Sequence, residues 1–351
     1  MKQYNFSVFI CRAQIFHKGH KSVIDKALSI SEKAIILIGS AHQPRSLRNP
    51  FTFEERKEMI LGAYDKTDQD RLIIIPLQDN PYNDDAWIGK VQSLVKGAVD
   101  AYYSKHDGKA KITLIGHSKD HSSYYLEKFP QWDAVNVENI GSISSTNLRD
   151  SYYQSNMLLK STGVERGTIT KNVIDFLMTF RETPDYSRLR EEFRAIEDYK
   201  ESWKGAPYPP TFVTTDAVVI QSGHILLVRR KVSPGKGLIA LPGGFLGQSE
   251  SLESSMVREL REETRIKVAS PVIRGSIKSK EVFDDVHRSS RGRTVTHAFL
   301  VHLNPVGGLP KVRGGDDADK AFWMPLSDLR PEDFFEDHYF IIQKLLGGID
   351  Y

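Results

Sequence analysis

The stretch FSVFICRAQIFHKGHKSVIDKALSISEKAIILIGS (6–40) sets the pattern for the first half of the chain. Its apolar run at 6–11 predicts a buried strand, 20–31 has the amphipathic spacing of a helix, and 34–40 is a second apolar run that ends in Gly-Ser. A strand, a helix and a strand in this order are typical of a parallel βαβ unit. Sheets of this kind bind their ligands at the carboxyl ends of the strands.

The alternation of strands and helices continues through the first half. Strands are predicted at RLIIIPL (71–77) and KITLIGH (111–117), and helices at 52–64 and 85–103. The helix at 52–64 begins with TFEE, a Thr-x-x-Glu capping box. Short apolar strands separated by helices predict an α/β fold with a buried parallel sheet.

A change of pattern marks a second domain. Residues 168–204 are predicted to be helical with an interruption at Pro184, and the stretch that follows, 204–216, is rich in Pro and Gly. Beyond it, Ser222-Gly223 separates two apolar runs, which predicts a β-hairpin in a mixed α/β domain with antiparallel strands. We therefore predict two domains and a helical, proline-containing linker, at residues 1–182, 207–351 and 183–206, respectively.

Composition limits the classes of protein to which the chain can belong. A net charge of +3 over 351 residues gives no electrostatic footprint for a nucleic acid or a membrane. Cys11 is the single cysteine, which excludes an internal disulfide and favours a reducing compartment. The N-terminal apolar run is too short for a signal peptide, and no run reaches the roughly 20 apolar residues of a membrane helix. We expect a cytoplasmic protein of undetermined oligomeric state that binds neither membranes nor nucleic acids.

Two histidines follow the first predicted strand. His17 and His20 flank Gly19 at the start of the predicted helix, where free backbone N–H groups and the helix dipole favour an anion. Nucleotidyl transfer builds negative charge on phosphates, and donors of this kind stabilise it. ISSTNLRD (143–150) adds hydroxyl groups and the forked cation of Arg149. The alternatives are an ordinary turn at the histidines and a capped helix with a surface arginine at 143–150.

These segments resemble the archaeal-type nicotinamide mononucleotide (NMN) adenylyltransferases over about residues 5–181. CRAQIFHKGH (11–20) matches most of the family's opening motif, Gly-Arg-Phe-Gln-Pro-Phe-His-x-Gly-His, and RNPFTFEER (48–56) and SSTNLR (144–149) match two further segments. The motif's first Gly, first Phe and Pro are replaced by Cys11, Ala13 and Ile15. We expect these replacements to affect the rate of the reaction more than its chemistry.

The resemblance implies a Rossmann-like nucleotidyltransferase domain that joins the adenylyl group of ATP to NMN with Mg²⁺, giving NAD and pyrophosphate. It implies that His17, His20 and Arg149 stabilise the phosphates during catalysis. The ATP-binding residues that it implies are Arg12, Gln14, His17, Gly19, His20, Ser144, Thr146 and Arg149. It also assigns Trp87 and Asp84 to the NMN side, and GHSKDHSSYYL (116–126) to the adenine side, mostly through backbone groups. A core role for Trp87 and a different acceptor, such as a pantetheine or sugar phosphate, are the alternatives.

LPGGFLGQSESLESSMVRELREETRIKV (241–268) carries a second pattern. Glu259, Glu262 and Glu263 have the i, i+3, i+4 spacing that places side chains on one helix face. Like charges at this spacing repel each other, and a hard divalent cation converts that repulsion into binding. A solvated acidic face is the alternative, and the preceding Gly243-Gly244 argues against it.

This pattern resembles the Nudix box, Gly-x5-Glu-x7-Arg-Glu-U-x-Glu-Glu-x-Gly-U, where U is a bulky aliphatic residue. The matching residues are Gly244, Glu250, Arg258, Glu259, Leu260, Glu262, Glu263 and Ile266. Over about residues 207–351, the resemblance implies a Nudix α/β/α fold with a mixed sheet that hydrolyses a substituted nucleoside diphosphate with Mg²⁺ or Mn²⁺. It implies metal-binding, catalytic roles for Glu259, Glu262 and Glu263, and structural roles for Gly243, Gly244, Glu250 and Arg258. Arg265 stands where the box has a Gly, a residue that usually ends the helix in a left-handed conformation.

Two later segments each have a functional and a structural interpretation. Asp316 and Asp317, in GGDD (314–317), supply a general base or a further metal contact, or they form a turn. RSSRGRTVTHAF (288–299) is basic, and it either binds a substrate phosphate or forms a solvated loop.

The order of the two domains resembles that of the bifunctional bacterial NMN adenylyltransferase/Nudix hydrolases. This resemblance implies hydrolysis of ADP-ribose to AMP and ribose 5-phosphate by the second domain, and NMN, ATP, NAD and ADP-ribose as the partners of the chain. Two alternatives for the second domain stay open. Arg265 motivates a non-catalytic ADP-ribose sensor that regulates the transferase, and the basic segment 288–293 motivates an enzyme that acts on NAD-capped RNA.

Overall fold

A computed structural model describes residues 2–103, 109–117, 126–138, 143–154, 167–305, 307–315 and 318–347. The chain divides into two compact units, an N-terminal unit of Met1–Arg190 and a C-terminal unit of Glu191–Tyr351. Within the described ranges, no helix is both long and apolar enough to cross a membrane.

The N-terminal unit is built on a sheet of five parallel strands. The strands are β1 (Tyr4–Cys11), β2 (Ser31–Ile38), β3 (Leu72–Pro76), β4 (Ile112–Gly116) and β5 (Asp133–Asn136). Their spatial order is β3-β2-β1-β4-β5, and every neighbouring pair is parallel. The chain thus adds β2 and β3 on one side of β1 and then crosses over to add β4 and β5 on the other side. In parallel sheets, ligands bind at such a switch in strand order, outside the carboxyl ends of the strands.

Among the described residues, six helices lie within the N-terminal unit, and a seventh includes the residues at which the chain divides into two units. They are α1 (Lys18–Ile30), α2 (Phe53–Leu61), α3 (Lys66–Gln69), α4 (Asp84–Tyr103), α5 (Ser145–Gln154), α6 (Lys171–Phe180) and α7 (Pro184–Ser202). The predicted βαβ unit is confirmed as β1-α1-β2, and the capping box of α2 is formed, because Thr52 and Glu55 each accept the other's backbone N–H. The predicted interruption at Pro184 is the start of α7.

The C-terminal unit contains a mixed sheet in the order β10-β11-β6-β7-β12, with β8 added to β7 and β9 added to β6. The pair β6–β11 is parallel, and the other pairs are antiparallel. The strands are β6 (Phe212–Gln221), β7 (His224–Arg230), β8 (Ile239–Ala240), β9 (Gly243–Phe245), β10 (Ile277–Phe283), β11 (Thr294–His302) and β12 (Ala318–Pro325). The predicted hairpin joins β6 to β7, and both of its turn residues, Ser222 and Gly223, have positive φ.

Three α-helices complete the C-terminal unit: α8 (Leu252–Thr264), α9 (Ser270–Gly275) and α10 (His338–Leu345). Two short 3-10 helices, Leu326–Asp328 and Pro331–Asp333, precede α10. One face of α8 packs Met256 and Leu260 against Ala217 and Val219 of β6. A fully buried side chain of this size stabilises the fold by roughly 1.5–3 kcal/mol. This packing fixes the helix and turns its glutamates towards β9. The predicted α/β fold class, with a parallel sheet followed by a mixed sheet, is confirmed.

Candidate active sites

His17 stands at the N-cap of α1, directly beyond the end of β1. It is buried, its Nδ1 accepts the backbone N–H of Gly19 at 3.1 Å, and its Nε2 lies 3.2 Å from the hydroxyl of Ser145 at the start of α5. The lack of a side chain at Gly19 is required here, because a Cβ would lie 2.9 Å from the His17 ring. The first turn of α1 and the first turn of α5 therefore meet at one imidazole.

His20 lies one turn further along α1 and forms a pair with His17. The ring centroids are 3.9 Å apart with an interplanar angle of 31°, and Nδ1 of His20 accepts the backbone N–H of His17 at 3.4 Å. Phe16 stacks on His20, with 5.9 Å between the centroids. The predicted pair is brought together at the N-terminus of a helix, where an anion is favoured.

Arg149 occupies α5 four residues after Ser145, so both side chains lie on one helix face. Its guanidinium donates to the carbonyl of Gln14 at 2.7 Å and to the hydroxyl of Thr146 at 3.2 Å. Burial, followed by the nearby cation of Arg12, lowers the pKa of Arg149 to about 10. The group therefore stays cationic at neutral pH, and the exposed Arg12 places a second cation beside it.

The side chains of Gln14 and Arg56 hold the backbone segments around His17, His20 and Arg149 in place. The side-chain amide of Gln14 donates to the carbonyl of Phe51 and accepts its N–H, both at 3.0 Å, so its side chain ties the loop after β1 to the segment before α2. The fully buried Arg56 donates to the carbonyls of Arg12, Gly39 and Ser40, at 2.7, 2.7 and 3.1 Å. Burial lowers the pKa of Arg56 to about 10. One cation thus holds the ends of β1 and β2 in place.

Two more side chains contribute at this edge of the sheet. Asp79 was not predicted as a site residue, and His117 belongs to the segment 116–126 that the resemblance assigned to the adenine side, mostly through backbone groups. Asp79 accepts the backbone N–H and the hydroxyl of Ser40, at 3.0 and 2.5 Å. His117, at the end of β4, has its ring nitrogens 2.7 Å from the carbonyl of Val137 and 3.2 Å from that of Gly19. Their position after the predicted strands 71–77 and 111–117 was the signal available in the sequence. His117 links the start of α1 to the neighbouring strands.

The residues assigned to NMN lie at the start of α4. Asp84 is its first residue and is exposed, and Trp87 is half-buried against the core of the N-terminal unit, with its ring centroid 6.2 Å from that of Phe129. Trp87 therefore contributes to the core and keeps part of its surface exposed. Ser144 directly precedes α5 and accepts the N–H of Leu148 through its carbonyl. Residues 118–125 of the adenine segment lie outside the described residues.

In the C-terminal unit, Arg258 organises the acidic face of α8. Its guanidinium forms a two-point pair with Glu250, at 2.6 and 3.0 Å, and also donates to Glu259 at 2.8 Å and Glu262 at 2.9 Å. The bond from Arg258 lowers the pKa of Glu250 to about 2. Glu250 also accepts the backbone N–H of Gly247 at 2.7 Å. These contacts hold α8 against the loop that precedes it.

Two glycines of β9 contact the other carboxylates in different ways. The backbone N–H of Gly243 donates to Glu263 at 3.0 Å, and a Cβ on Gly244 would lie 2.5–2.8 Å from the carboxylate of Glu259. Burial and, to a smaller extent, the charge of Glu259 raise the pKa of Glu263 to about 8. Burial also raises the pKa of Glu259. These carboxylates are held close together in a partly dry environment, where a cation is favoured.

A divalent cation fits the chemistry of these donors. In the described part of the chain, no three His, Cys, Asp or Glu side chains are already arranged around a common metal position. Glu259 and Glu262 are instead neutralised by Arg258, and a cation would replace those contacts. Carboxylate oxygens are the ligands that Mg²⁺ and Mn²⁺ prefer. Asp316 and Asp317 lie outside the described residues.

Comparisons with known proteins agree with this division into two sites. Residues 8–150 match the cytidylyltransferase-like family, and residues 210–345 match the NUDIX domain family. A nicotinamide/nicotinic acid mononucleotide adenylyltransferase of Acinetobacter baylyi is 36% identical over 196 residues, which are 56% of this chain and 96% of that protein. An ADP-ribose pyrophosphatase of Methanocaldococcus jannaschii is 34% identical over 134 residues, which are 38% of this chain and 72% of that protein.

One solved structure is similar over nearly the whole chain. It is a bifunctional NMN adenylyltransferase/ADP ribose pyrophosphatase of Francisella tularensis, complexed with AMP and a Mn ion. It is 36% identical, with a TM-score of 0.88 and coverage of 98% of this chain and 99% of the other. This chain belongs to that bifunctional family. The recognition made from its motifs is confirmed, and the order of its two units is the order of the family.

The departures from the motifs of the family are accommodated locally. Ala13 has a φ of 50°, in the left-handed region, and is buried. Arg265 also lies in the left-handed region, with φ 48° and ψ 31°, and its N–H bonds the carbonyl of Arg261. The helix α8 therefore ends where a glycine would end it, at a cost of about 1 kcal/mol in backbone conformation.

Proposed function

We propose that the chain is a two-site enzyme of NAD metabolism. Residues 1–182 transfer the adenylyl group of ATP to NMN, giving NAD and pyrophosphate, and residues 207–351 hydrolyse ADP-ribose to AMP and ribose 5-phosphate. The observation that carries this proposal is the similarity over 98% of the chain to one bifunctional enzyme of known structure. The geometry of both sites supports it.

In the transferase site, an oxygen of the NMN phosphate attacks the α-phosphorus of ATP, and the bond to the departing pyrophosphate breaks. His17 and His20, at the N-terminus of α1, and Arg149 on α5 stabilise the negative charge that develops on the phosphates. Gln14, an implied ATP ligand, contributes its backbone carbonyl, which orients Arg149, and Ser145, which was not among the implied ligands, orients His17. NMN lies towards Asp84 and Trp87 in this proposal.

In the hydrolase site, water attacks a phosphorus atom of the diphosphate and the bridging phosphorus–oxygen bond breaks. Glu259, Glu262 and Glu263 would hold a divalent cation, with Mg²⁺ as the proposed ion and Mn²⁺ as a substitute. When bound, such an ion activates water and neutralises the diphosphate. Arg258 orients Glu259 and Glu262, and the N–H of Gly243 orients Glu263.

The two alternatives for the C-terminal unit lose their motivation. Arg265 ends α8 without displacing its carboxylates, so it gives no reason to prefer a non-catalytic sensor. The basic segment 288–293 offers no extended cationic surface for an RNA, because Arg288 is buried against Asp337 and Arg291 lies over the ring of Phe245. A hydrolase for small nucleotides is the simpler function.

Product identification tests the proposal. The protein is incubated with Mg²⁺ and either NMN plus ATP or ADP-ribose alone, and the products are separated by chromatography. We expect NAD and pyrophosphate from the first mixture, and AMP and ribose 5-phosphate from the second. ADP-ribose that stays intact with both Mg²⁺ and Mn²⁺ would refute the hydrolase, and NMN that stays intact would refute the transferase.

A further inference from the structure

Three consecutive residues at the start of α10 connect separate parts of the C-terminal unit. Glu336 accepts the backbone N–H of Ser290 at 3.1 Å. Asp337 accepts two bonds from Arg288, at 2.9 and 3.0 Å, and Nδ1 of His338 accepts the backbone N–H of Leu241 at 2.9 Å. We call residues 336–338 the junction. It ties the loop before β11 and the link between β8 and β9 to one helix end.

The pair of Asp337 and Arg288 is the buried element of the junction. Their side chains are 8% and 4% exposed, and two parallel bonds join them. Asp337 is at the N-cap of α10, yet its side chain makes no capping bond, although an aspartate there usually caps the helix. Glu336 has a φ of 47°, which is uncommon for a residue with a side chain. Asp337 thus binds Arg288 in place of capping α10, and Glu336 adopts an uncommon backbone conformation while its carboxylate binds Ser290.

The loop held by the junction lies next to β9, the strand whose Gly243 binds Glu263. Arg291 lies with its guanidinium carbon 5.1 Å from the ring centre of Phe245, the residue that follows Gly243-Gly244 in β9. Burial raises the pKa of Asp216, and the nearby cations of Arg288 and Arg291 oppose that shift. Burial, and to a smaller extent the charge of Asp216, raises the pKa of Glu263, so Asp216 lies between these arginines and the glutamates. Among the described residues, the buried Nε of Arg291 has no hydrogen-bond partner, and the guanidinium is held beside β9.

His338 binds the second segment that the junction holds, the link between β8 and β9. Its Nδ1 is an acceptor, and burial lowers its pKa to about 3, so the ring is neutral and carries its proton on Nε2. The bond to Leu241 lies two residues before Gly243, whose N–H binds Glu263. The junction therefore positions both the strand that orients a carboxylate and the loop that carries Arg291.

We propose that Asp337 and Arg288 are positioning residues for diphosphate hydrolysis, which hold Arg291 where it binds the anionic diphosphate of the substrate. Glu259, Glu262 and Glu263 repel a diphosphate, and Arg258 is already paired with carboxylates, so a second forked cation adds attraction for the substrate. Arg288 itself is buried and donates two parallel bonds to Asp337. This inference rests on the proposed hydrolase function.

A double-mutant cycle tests it, with Asp337→Asn, Arg291→Ala and the combination of the two. Each single variant should raise KM for ADP-ribose about tenfold, the ratio expected for one lost charge-assisted hydrogen bond, and change kcat less than about threefold. The double variant should be no worse than Arg291→Ala, because Asp337 acts through Arg291. Effects that multiply in the double variant, or a loss confined to kcat, would overturn the proposal.

Controls separate this effect from damage to the fold. The matched control is Glu253→Gln, which removes the charge from an exposed carboxylate–arginine pair with Arg274 on the same unit and should leave KM unchanged. NAD synthesis by the same polypeptide reports whether each variant is intact. Should Asp337→Asn fail to fold, the cycle is run with Arg288→Lys, which keeps the buried charge but loses the fork.

The same cycle is repeated as a binding measurement with ADP-ribose in EDTA, where metal-dependent hydrolysis stops. We expect the same tenfold, non-multiplying losses in Kd. A wild-type protein that fails to hydrolyse ADP-ribose in Mg²⁺ and Mn²⁺ would refute the hydrolase function alone, since the Kd cycle still decides whether Asp337 acts through Arg291. Independent losses in Kd would refute the positioning role alone.

Discussion

The two units present opposite charges to a phosphate. In the N-terminal unit, His17, His20 and Arg149 meet at helix N-termini and strand ends, so the site carries its own donors and cations. In the C-terminal unit, Glu259 and Glu263 face the same kind of ligand with carboxylates whose pKa is raised by burial. The first site can attract a phosphate directly, whereas the second depends on an added cation.

The two sites are also held in different ways. In the N-terminal unit the frame consists of side chains bonded to backbone carbonyls of other segments, as Arg56 and Arg149 are. In the C-terminal unit one helix carries all three glutamates. Gly244 of the neighbouring strand β9 leaves space for Glu259, and the backbone N–H of Gly243 binds Glu263. Small changes of shape should therefore damage the second site most, and loss of donor geometry should damage the first.

Among substitutions that leave every charge and donor in place, the largest effect is expected from Gly244→Ala. The new Cβ would lie 2.5 Å from a carboxylate oxygen of Glu259, the flexible end of a side chain, so the carboxylate moves while the fold persists. A displacement of about 1 Å at a catalytic group costs on the order of 10²-fold in rate. We expect kcat/KM for ADP-ribose to fall by about that factor with an unchanged Tm. Gly275→Ala, where a Cβ meets open space, is the control and should keep full activity.

A smaller effect is expected from Arg149→Lys in the other unit. Lysine keeps the charge but cannot bond both the carbonyl of Gln14 and the hydroxyl of Thr146 with a fixed fork. We expect NAD synthesis to slow about tenfold, less than for removal of a complete donor. Steady-state rates with NMN and ATP measure it, and hydrolysis of ADP-ribose in the same sample should not change. An unchanged rate of NAD synthesis would mean that the charge alone is sufficient.

An effect of a different kind is expected in the stability of the metal-free protein. Glu263 has a pKa of about 8 in the folded chain and 4.5 as its ordinary value, so between these values the folded state holds a proton that the unfolded state releases. Stability of the C-terminal unit should therefore fall as pH rises from 4.5 to about 8. Urea unfolding in EDTA at several pH values, with Glu263→Gln alongside, measures this slope. A variant with the same slope as the wild type would contradict the assignment.

Local patterns predicted most of the fold. The strand β1, the helix α1, the capping box of α2 and the hairpin at Ser222-Gly223 each depend on neighbours in sequence, which a periodicity or a turn residue reveals. The strand β5 was missed because DAVN has only four residues and no apolar run. It is stabilised by pairing with β4, which local sequence does not show.

In the candidate sites, too, local sequence predicted some residues and missed those that depend on long-range contacts. The glutamates of α8 share a face because of their spacing, whereas the pairing of Arg288 with Asp337 joins residues 49 positions apart. Arg56 was not expected inside, since arginine is mostly exposed and its carbonyl partners come from several segments. Groups whose role depends on long-range contacts need the fold before they can be assigned.

Two variants in one chain test the central claim most directly, that the units carry separate sites of opposite character. His20→Ala and Glu263→Gln are each assayed for NAD synthesis from NMN and ATP and for hydrolysis of ADP-ribose, with Mg²⁺ in both assays. We predict that His20→Ala lowers synthesis by about 10²–10³-fold and leaves hydrolysis intact, and that Glu263→Gln does the reverse. If either variant, shown to be folded, loses both activities, the account of two independent sites is wrong.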